Sequence, residues 1–175
     1  MLIYPDKYLN NVKKITIDFL KENNIKGLIL DIDNTLIDFD RKLLDGAKEW
    51  CEDLKKQGIK FYILSNTNKR DKVEKVSKEL DIPYINFAKK PMKKGFKTVQ
   101  KNLQIENSRE IAAVGDQIFT DVIGARRSKM YSILTKPIDK RDIFMTRVKR
   151  PLENWIIKRY LKKINERLTS KRWKF

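Results

Sequence analysis

Apolar residues in this chain fall into short runs separated by stretches with helical periodicity. Gly27-Leu28-Ile29-Leu30-Asp31 carries no polar interruption before its aspartate, which is how a strand buried on both faces reads. Lys60–Leu64, Tyr84–Phe87, Ile111–Val114 and Tyr131–Leu134 repeat that form. Between them, Asp45–Gln57, Lys69–Leu80, Gly95–Asn102 and Thr120–Ser128 space their apolar positions as helices do, with Asp45 placed to cap the first and Gly58 at its exit. Strand alternating with helix predicts an α/β three-layer sandwich around a parallel five-stranded sheet. Upstream, Leu9, Val12, Ile15 and Phe19 predict an amphipathic helix over Tyr8–Glu22. No repeat or long linker interrupts the pattern, so residues 1–175 are expected to form one domain with a core of about 25–136.

The pattern changes near the C-terminus. Residues 147–175 hold eleven Lys/Arg against Glu153 and Glu166, which is +9 of the chain's +17. Trp155, Ile156, Tyr160, Leu161, Ile164 and Leu168 recur at helical spacing, predicting a basic amphipathic helix. Such a run is most often a solvated face whose apolar side packs on its own domain. It is also the pattern of a helix lying on an anionic membrane surface, and nucleic acid would use the same charges.

Composition narrows the chemistry. With 41% hydrophobic and 36% charged residues, the chain reads as globular. No apolar run approaches the roughly 18 residues that cross a bilayer, and Met1–Asp6 lacks the basic start and apolar stretch of a signal peptide. A lone cysteine, Cys51, sits in a helix pattern, excludes an internal disulfide and fits a reducing cytoplasm. There is no histidine, which removes Ser-His-Asp and Cys-His catalysis and His-ligated zinc. What remains is carboxylate, hydroxyl or lysine chemistry, or a hard metal. The net charge points to an anionic partner: a phosphorylated substrate, nucleic acid or an acidic membrane.

Carboxylates gather where such chemistry needs them. Asp31-Ile32-Asp33-Asn34-Thr35 follows the first strand, and ligands of open parallel sheets bind beyond the carboxyl ends of strands. Alternation in an extended segment turns Asp31 and Asp33 the same way, and a divalent cation relieves their repulsion. Oxygen-only ligands favour magnesium. One carboxylate can then attack phosphorus while the other protonates the leaving group and activates water. Gly115-Asp116, with Asp121 beyond, ends the fourth strand and offers further oxygen ligands. Ser65-Asn66 ends the second strand with hydroxyl and amide donors, and Lys90-Pro91 follows the third with a cation for the phosphoryl group. Lys89 competes for that role. A DxD pair or a lone lysine is usually just solvated; four strand ends carrying complementary groups are not.

DIDNT, SN, KP and GDQIFTD stand in the order of the four motifs of haloacid dehalogenase (HAD) superfamily phosphatases, over residues 28–125. With YPDKYLNNVKKI, GDQIFTDVIGARR and TRVKRPLE, the chain resembles the YqeG-type branch of subfamily IIIA, related to phosphatidylglycerophosphatases, over residues 4–153. The resemblance implies a HAD-like Rossmannoid fold. It makes Asp31 the nucleophile and Asp33 the general acid/base, with magnesium on Asp31, the Asp33 backbone carbonyl and Asp116, and Asp121 joining through water. Ser65, Asn66 and Lys90 would hold the phosphoryl group, and Asn34 and Thr35 would support the site. Only 29 residues separate Thr35 from Ser65 and 23 separate Asn66 from Lys90, too few for a cap domain. An open site suits a large substrate. The resemblance favours phosphatidylglycerophosphate, met by a cytoplasmic enzyme peripheral to the inner face of a membrane. The rival readings are a phosphatase of nucleic-acid ends, nucleotides or phosphoproteins, and a basic RNA- or ribosome-binding protein with a vestigial site.

Overall fold

A computed structural model describes residues 3–139, 141 and 144–172. Its centre is a six-stranded parallel sheet of β1 (Lys7–Leu9), β2 (Gly27–Leu30), β3 (Lys60–Leu64), β4 (Tyr84–Ile85), β5 (Ile111–Gly115) and β6 (Tyr131–Thr135), in the order β1-β6-β5-β2-β3-β4. The helices are α1 (Ile17–Glu22), α2 (Ala47–Lys56), α3 (Arg70–Leu80), α4 (Lys93–Leu103), α5 (Ile123–Arg127) and α6 (Phe144–Arg172).

The pleat of the central strands divides the core in two. On one face, Leu28, Leu30, Phe61, Ile63, Ala112 and Val114 join Cys51 and Leu54 of α2 and Val73, Val76 and Leu80 of α3. On the other, Ile29, Tyr62, Leu64, Ile111 and Ala113 join Phe96, Val99 and Leu103 of α4 and Ala125 of α5. Each such buried aliphatic side chain contributes roughly 1.5–3 kcal/mol, so the continuous apolar runs dictate central strands covered on both sides. Gly124 lets α5 approach α4, because a Cβ there would stand 2.3 Å from the Phe96 ring.

The sheet has six strands rather than the expected five, and Tyr8–Glu22 is not one helix. That stretch divides into β1, a 3-10 turn over Val12–Lys14, and α1. Asn11 accepts from the Lys13 N–H and Thr16 from the Phe19 N–H, so each side chain starts a new element in competition with a continuous helix. Asp6 then pins β1 beside β6 by accepting from the backbone and hydroxyl of Ser132 and from Arg126. Asp45 does not cap α2; Gly46, at φ 73°, makes that entry. The helix expected from Thr120 begins earlier as a π-helical turn, Ile118–Val122, which runs into α5.

Helix α6 also differs from a single amphipathic stripe. Ile156 and Tyr160 are buried, Ile156 against Ile118, Val122 and Leu134, whereas Val148, Leu152, Trp155 and Leu161 face solvent. Lys174, counted in the basic tail, lies outside the described residues. No helix among the described residues is long and apolar enough to cross a membrane. No cap domain stands between β2 and β3 or between β3 and β4 among them; the first connection is a loop held by bridges Asp33–Ile37 and Ile37–Leu43, followed by α2.

Candidate active site

From β2 the chain turns to β3 and β4 on one side and later to β5 and β6 on the other, so the switch point lies between β2 and β5. Asp31 follows β2 there, continuing the ladder through its N–H to the Val114 carbonyl at 2.9 Å, and Asp116 follows β5. Lys90 comes from the loop after β4. Its Nζ donates to Asp31 Oδ1 and Asp121 Oδ1, at 2.7 Å each, with all three side chains buried.

Neighbouring loops hold these groups in place. Asn66 accepts from the Lys90 N–H at 2.6 Å and donates to the Lys90 carbonyl at 3.0 Å, using one of its two amide hydrogens. The buried Ser65 Oγ accepts from the Thr67 N–H at 3.2 Å. Asp121 is turned back into the site by the π-helical turn, and its Oδ2 accepts from the Gln117 N–H and the Thr120 hydroxyl. That packing needs Gly115, since a Cβ there would lie 2.2 Å from Asp121 Cγ.

Carboxylate oxygens of Asp31, Asp116 and Asp121 lie within 4.8 Å of one another. Burial pushes the Asp31 carboxyl up to about 7 against the pull of Lys90. Burial likewise holds Asp116 well above the carboxylate range, opposed by Arg150 and reinforced by Asp31 and Asp121. Burial works against the Lys90 charge, yet Asp121 and Asp31 outweigh it and raise its pKa. With all four ionised, the buried acids Asp31, Asp116, Asp121 and Glu153 would outnumber the two cations, Lys90 and Arg150, by two negative charges. Asp116 Oδ1 is buried without a hydrogen-bond partner. An excess of that size beside an orphaned carboxylate oxygen, in an all-oxygen donor set, fits a hard divalent cation.

The structure therefore brings Asp31, Asp116, Asp121 and Lys90 together and sets Ser65 and Asn66 beside Lys90's loop. Lys89 points away, its Nζ 5.3 Å from the Phe87 ring centre. Asp33 is partly exposed and paired with Lys72 of α3. Asn34 adopts φ 58° and receives, at its carbonyl and side-chain oxygen, the N–H groups of Ile138 and Asp139. The hydroxyl of Thr35 is buried without a partner.

Sequence reasoning missed three residues. Lys72 is one basic position among many on a helical pattern and carried no signal. Arg150, on α6, donates to Asp116 Oδ2 at 2.5 Å and to the Asp116 carbonyl at 2.9 Å. Glu153 accepts from the Phe119 N–H at 3.1 Å. Arg150 and Glu153 were findable only as part of TRVKRPLE.

Three kinds of known protein resemble this one. A family described as mitochondrial PGP phosphatase matches residues 1–139. The "Probable phosphatase YqeG" of Bacillus subtilis (strain 168) is 40% identical over 154 residues, which is 87% of this chain and 88% of that one. The chloroplastic/mitochondrial phosphatidylglycerophosphate phosphatase 1 of Arabidopsis thaliana is 25% identical over 171 residues, 92% of this chain but 49% of that protein. Among solved structures, the HAD-hydrolase YfnB of Bacillus subtilis, bound to magnesium, superposes with a TM-score of 0.57 at 13% identity, covering 69% of this chain and 91% of that one, and so shares the fold.

Proposed function

Since the chain belongs to the mitochondrial PGP phosphatase family and is a phosphatase of the HAD superfamily, we propose that it hydrolyses phosphatidylglycerophosphate to phosphatidylglycerol through an aspartyl-phosphate at Asp31. The observation that carries this reading is the buried Lys90 bridging Asp31 and Asp121 beside the unpartnered Asp116 Oδ1.

In the first half-reaction, a carboxylate oxygen of Asp31 forms a bond to phosphorus. The bond from phosphorus to the lipid oxygen breaks, and Asp33 passes its proton to that oxygen. In the second, Asp33 takes a proton from water, whose oxygen bonds to phosphorus; the acyl phosphate breaks, freeing Asp31 and inorganic phosphate. Lys90, Ser65 and Asn66 bind the non-bridging oxygens, Lys90 offsetting their charge. Asn34 and Thr35 orient the loop that carries Asp33. Asp31, the Asp33 carbonyl and Asp116 would hold magnesium, with Asp121 joining through water. Bound there, the ion neutralises the excess charge shared by the carboxylates and the phosphoryl group.

Two features support a lipid substrate. The site lacks a cap among the described residues, and α6 beside it exposes Val148, Leu152 and Trp155 on a basic helix. We place the enzyme on the cytoplasmic side, peripheral to an anionic membrane. The test is phosphate release by purified protein from phosphatidylglycerophosphate, with magnesium and with chelator, beside a 3′-phosphorylated oligonucleotide, a nucleotide and a phosphopeptide. Magnesium-dependent preference for the lipid is expected. Preference for the oligonucleotide would replace lipid with nucleic acid, and turnover nowhere would favour a basic binding protein. Asp31→Asn should abolish turnover while leaving the protein folded.

A further inference from the structure

We propose that Arg150 and Glu153 of α6 are positioning residues that aim the Asp116 carboxylate at the cation, making the C-terminal helix a working part of the site. The inference rests on the reading of Asp116 as a metal ligand.

Arg150 engages one residue at two points. Its Nη2 donates to Asp116 Oδ2 at 2.5 Å and its Nη1 to the Asp116 carbonyl at 2.9 Å. Backbone and carboxylate are thereby fixed together, more than a simple counter-ion requires. The contact uses Oδ2 and leaves Oδ1 buried and unpartnered, in a carboxylate that stands with those of Asp31 and Asp121. Glu153 extends the clamp along the same loop. Its Oε2 lies 3.4 Å from Arg150 Nη1, and its Oε1 accepts from the Phe119 N–H at 3.1 Å, three residues beyond Asp116. Burial of Ile156 and Tyr160 anchors the helix that carries both.

Charge argues against the opposite role, in which Arg150 would repel the ion. Glu153 is buried and paired with Arg150, so the two together add no net positive charge. Their effect is geometric. Partners that orient a metal ligand typically change metal affinity or activity by about 10–100-fold when removed.

The probe is Mn2+, its free concentration read by electron paramagnetic resonance on the full chain. Wild type, Arg150→Met, Arg150→Lys, Glu153→Gln, Asp116→Asn and Val99→Ala are compared, with a melting temperature for each. Val99 is fully buried on α4, away from the clamp, and controls for stability lost without it. Arg150→Met should weaken Mn2+ binding by about tenfold or more. Lysine, which cannot span both oxygens, should restore part of the loss, and Glu153→Gln should fall between wild type and Arg150→Met. Val99→Ala should lower the melting temperature without moving the Mn2+ Kd. An unchanged Kd in Arg150→Met, with or without lower stability, would overturn the proposal, as would tighter binding. Wild-type protein that binds no Mn2+, or Asp116→Asn that binds it normally, would remove the metal assignment itself, and the clamp with it.

Discussion

Asn66 grips Lys90 by both of its backbone groups, accepting from its N–H at 2.6 Å and donating to its carbonyl at 3.0 Å. From that held backbone the side chain of Lys90 reaches between Asp31 and Asp121. Asn66→Ala removes the partner of both backbone groups, at up to about 1–3 kcal/mol for each one left unmet, and frees the lysine. Turnover should fall at least tenfold, and Asn66→Asp, which keeps the acceptor, should lose less stability; thermal melts and steady-state rates measure both.

Lys90→Met leaves two buried carboxylates facing each other without their cation. Removing one partner of a buried pair typically costs about 3–5 kcal/mol. In chelator at pH 8, urea unfolding should show a loss of that order, and part of it should return at pH 5.5, where Asp31, pushed up to about 7 by burial, holds its proton. Equal midpoints for mutant and wild type at pH 8 would contradict the pairing.

The metal-free protein should itself depend on pH in a set direction. Asp31 titrates near 7 in the fold and Asp116 is also raised, both from an ordinary value of 3.8. Protons held in the folded state but lost in the unfolded state stabilise the fold at low pH, and this contribution disappears as pH rises toward and through about 7. A cation that binds the ionised carboxylates works the other way. The gain in melting temperature from magnesium over chelator should therefore be larger at pH 8 than at pH 5.5. A gain that shrank with pH would sink the assignment.

Gly115→Ala would drive its methyl into Asp121, at 2.2 Å from Cγ. Overpacking of this kind costs about 1–3 kcal/mol, and here the displaced carboxylate is the one whose other oxygen, Oδ1, holds Lys90. Activity should drop further than stability. Gly124→Ala makes a comparable clash with Phe96, and Phe96→Leu should relieve it; the same second change should do nothing for Gly115→Ala.

The outward face of α6 has its own test. Trp155 lies under Arg159, 4.7 Å from ring centre to guanidinium, and stands with Leu152 in solvent. Leu152→Ser with Trp155→Ala should weaken sedimentation with anionic vesicles and leave the melting temperature in place. Undiminished binding would discard this face as the contact. Cutting the chain after Arg150 is a poorer experiment, because it also removes Glu153 and Ile156 from the domain.

What could be read from the sequence tracks how locally each feature is encoded. Lys60–Leu64 appears where expected because a strand buried on both faces must be apolar along its length. Asp31, Ser65 and Asp116 were visible because each follows such a strand, and strand ends converge in a parallel sheet, whereas Lys90 stood out by its Lys-Pro pair after the short, half-buried β4. β1 was not, since Lys7–Leu9 is short and partly exposed and is held by Asp6 to Ser132, 126 positions away. The π-helical turn that redirects Asp121 has no periodicity separating it from the start of an α-helix. Lys72 and Arg150 gain meaning only from the carboxylates they meet.

The pairing of β1 with β6 also sets an order of events. Residues 7–9 leave the ribosome more than a hundred residues before the strand they pair with, residues 131–135. Until then the opening segment has no edge to join, and closing so long a loop is slow compared with forming the local β2–β3–β4 units. The earliest strand of this sheet is thus among the last to settle. By the same logic it should be among the first to detach, with amides at Lys7–Leu9 exchanging sooner than those of β2 and β5.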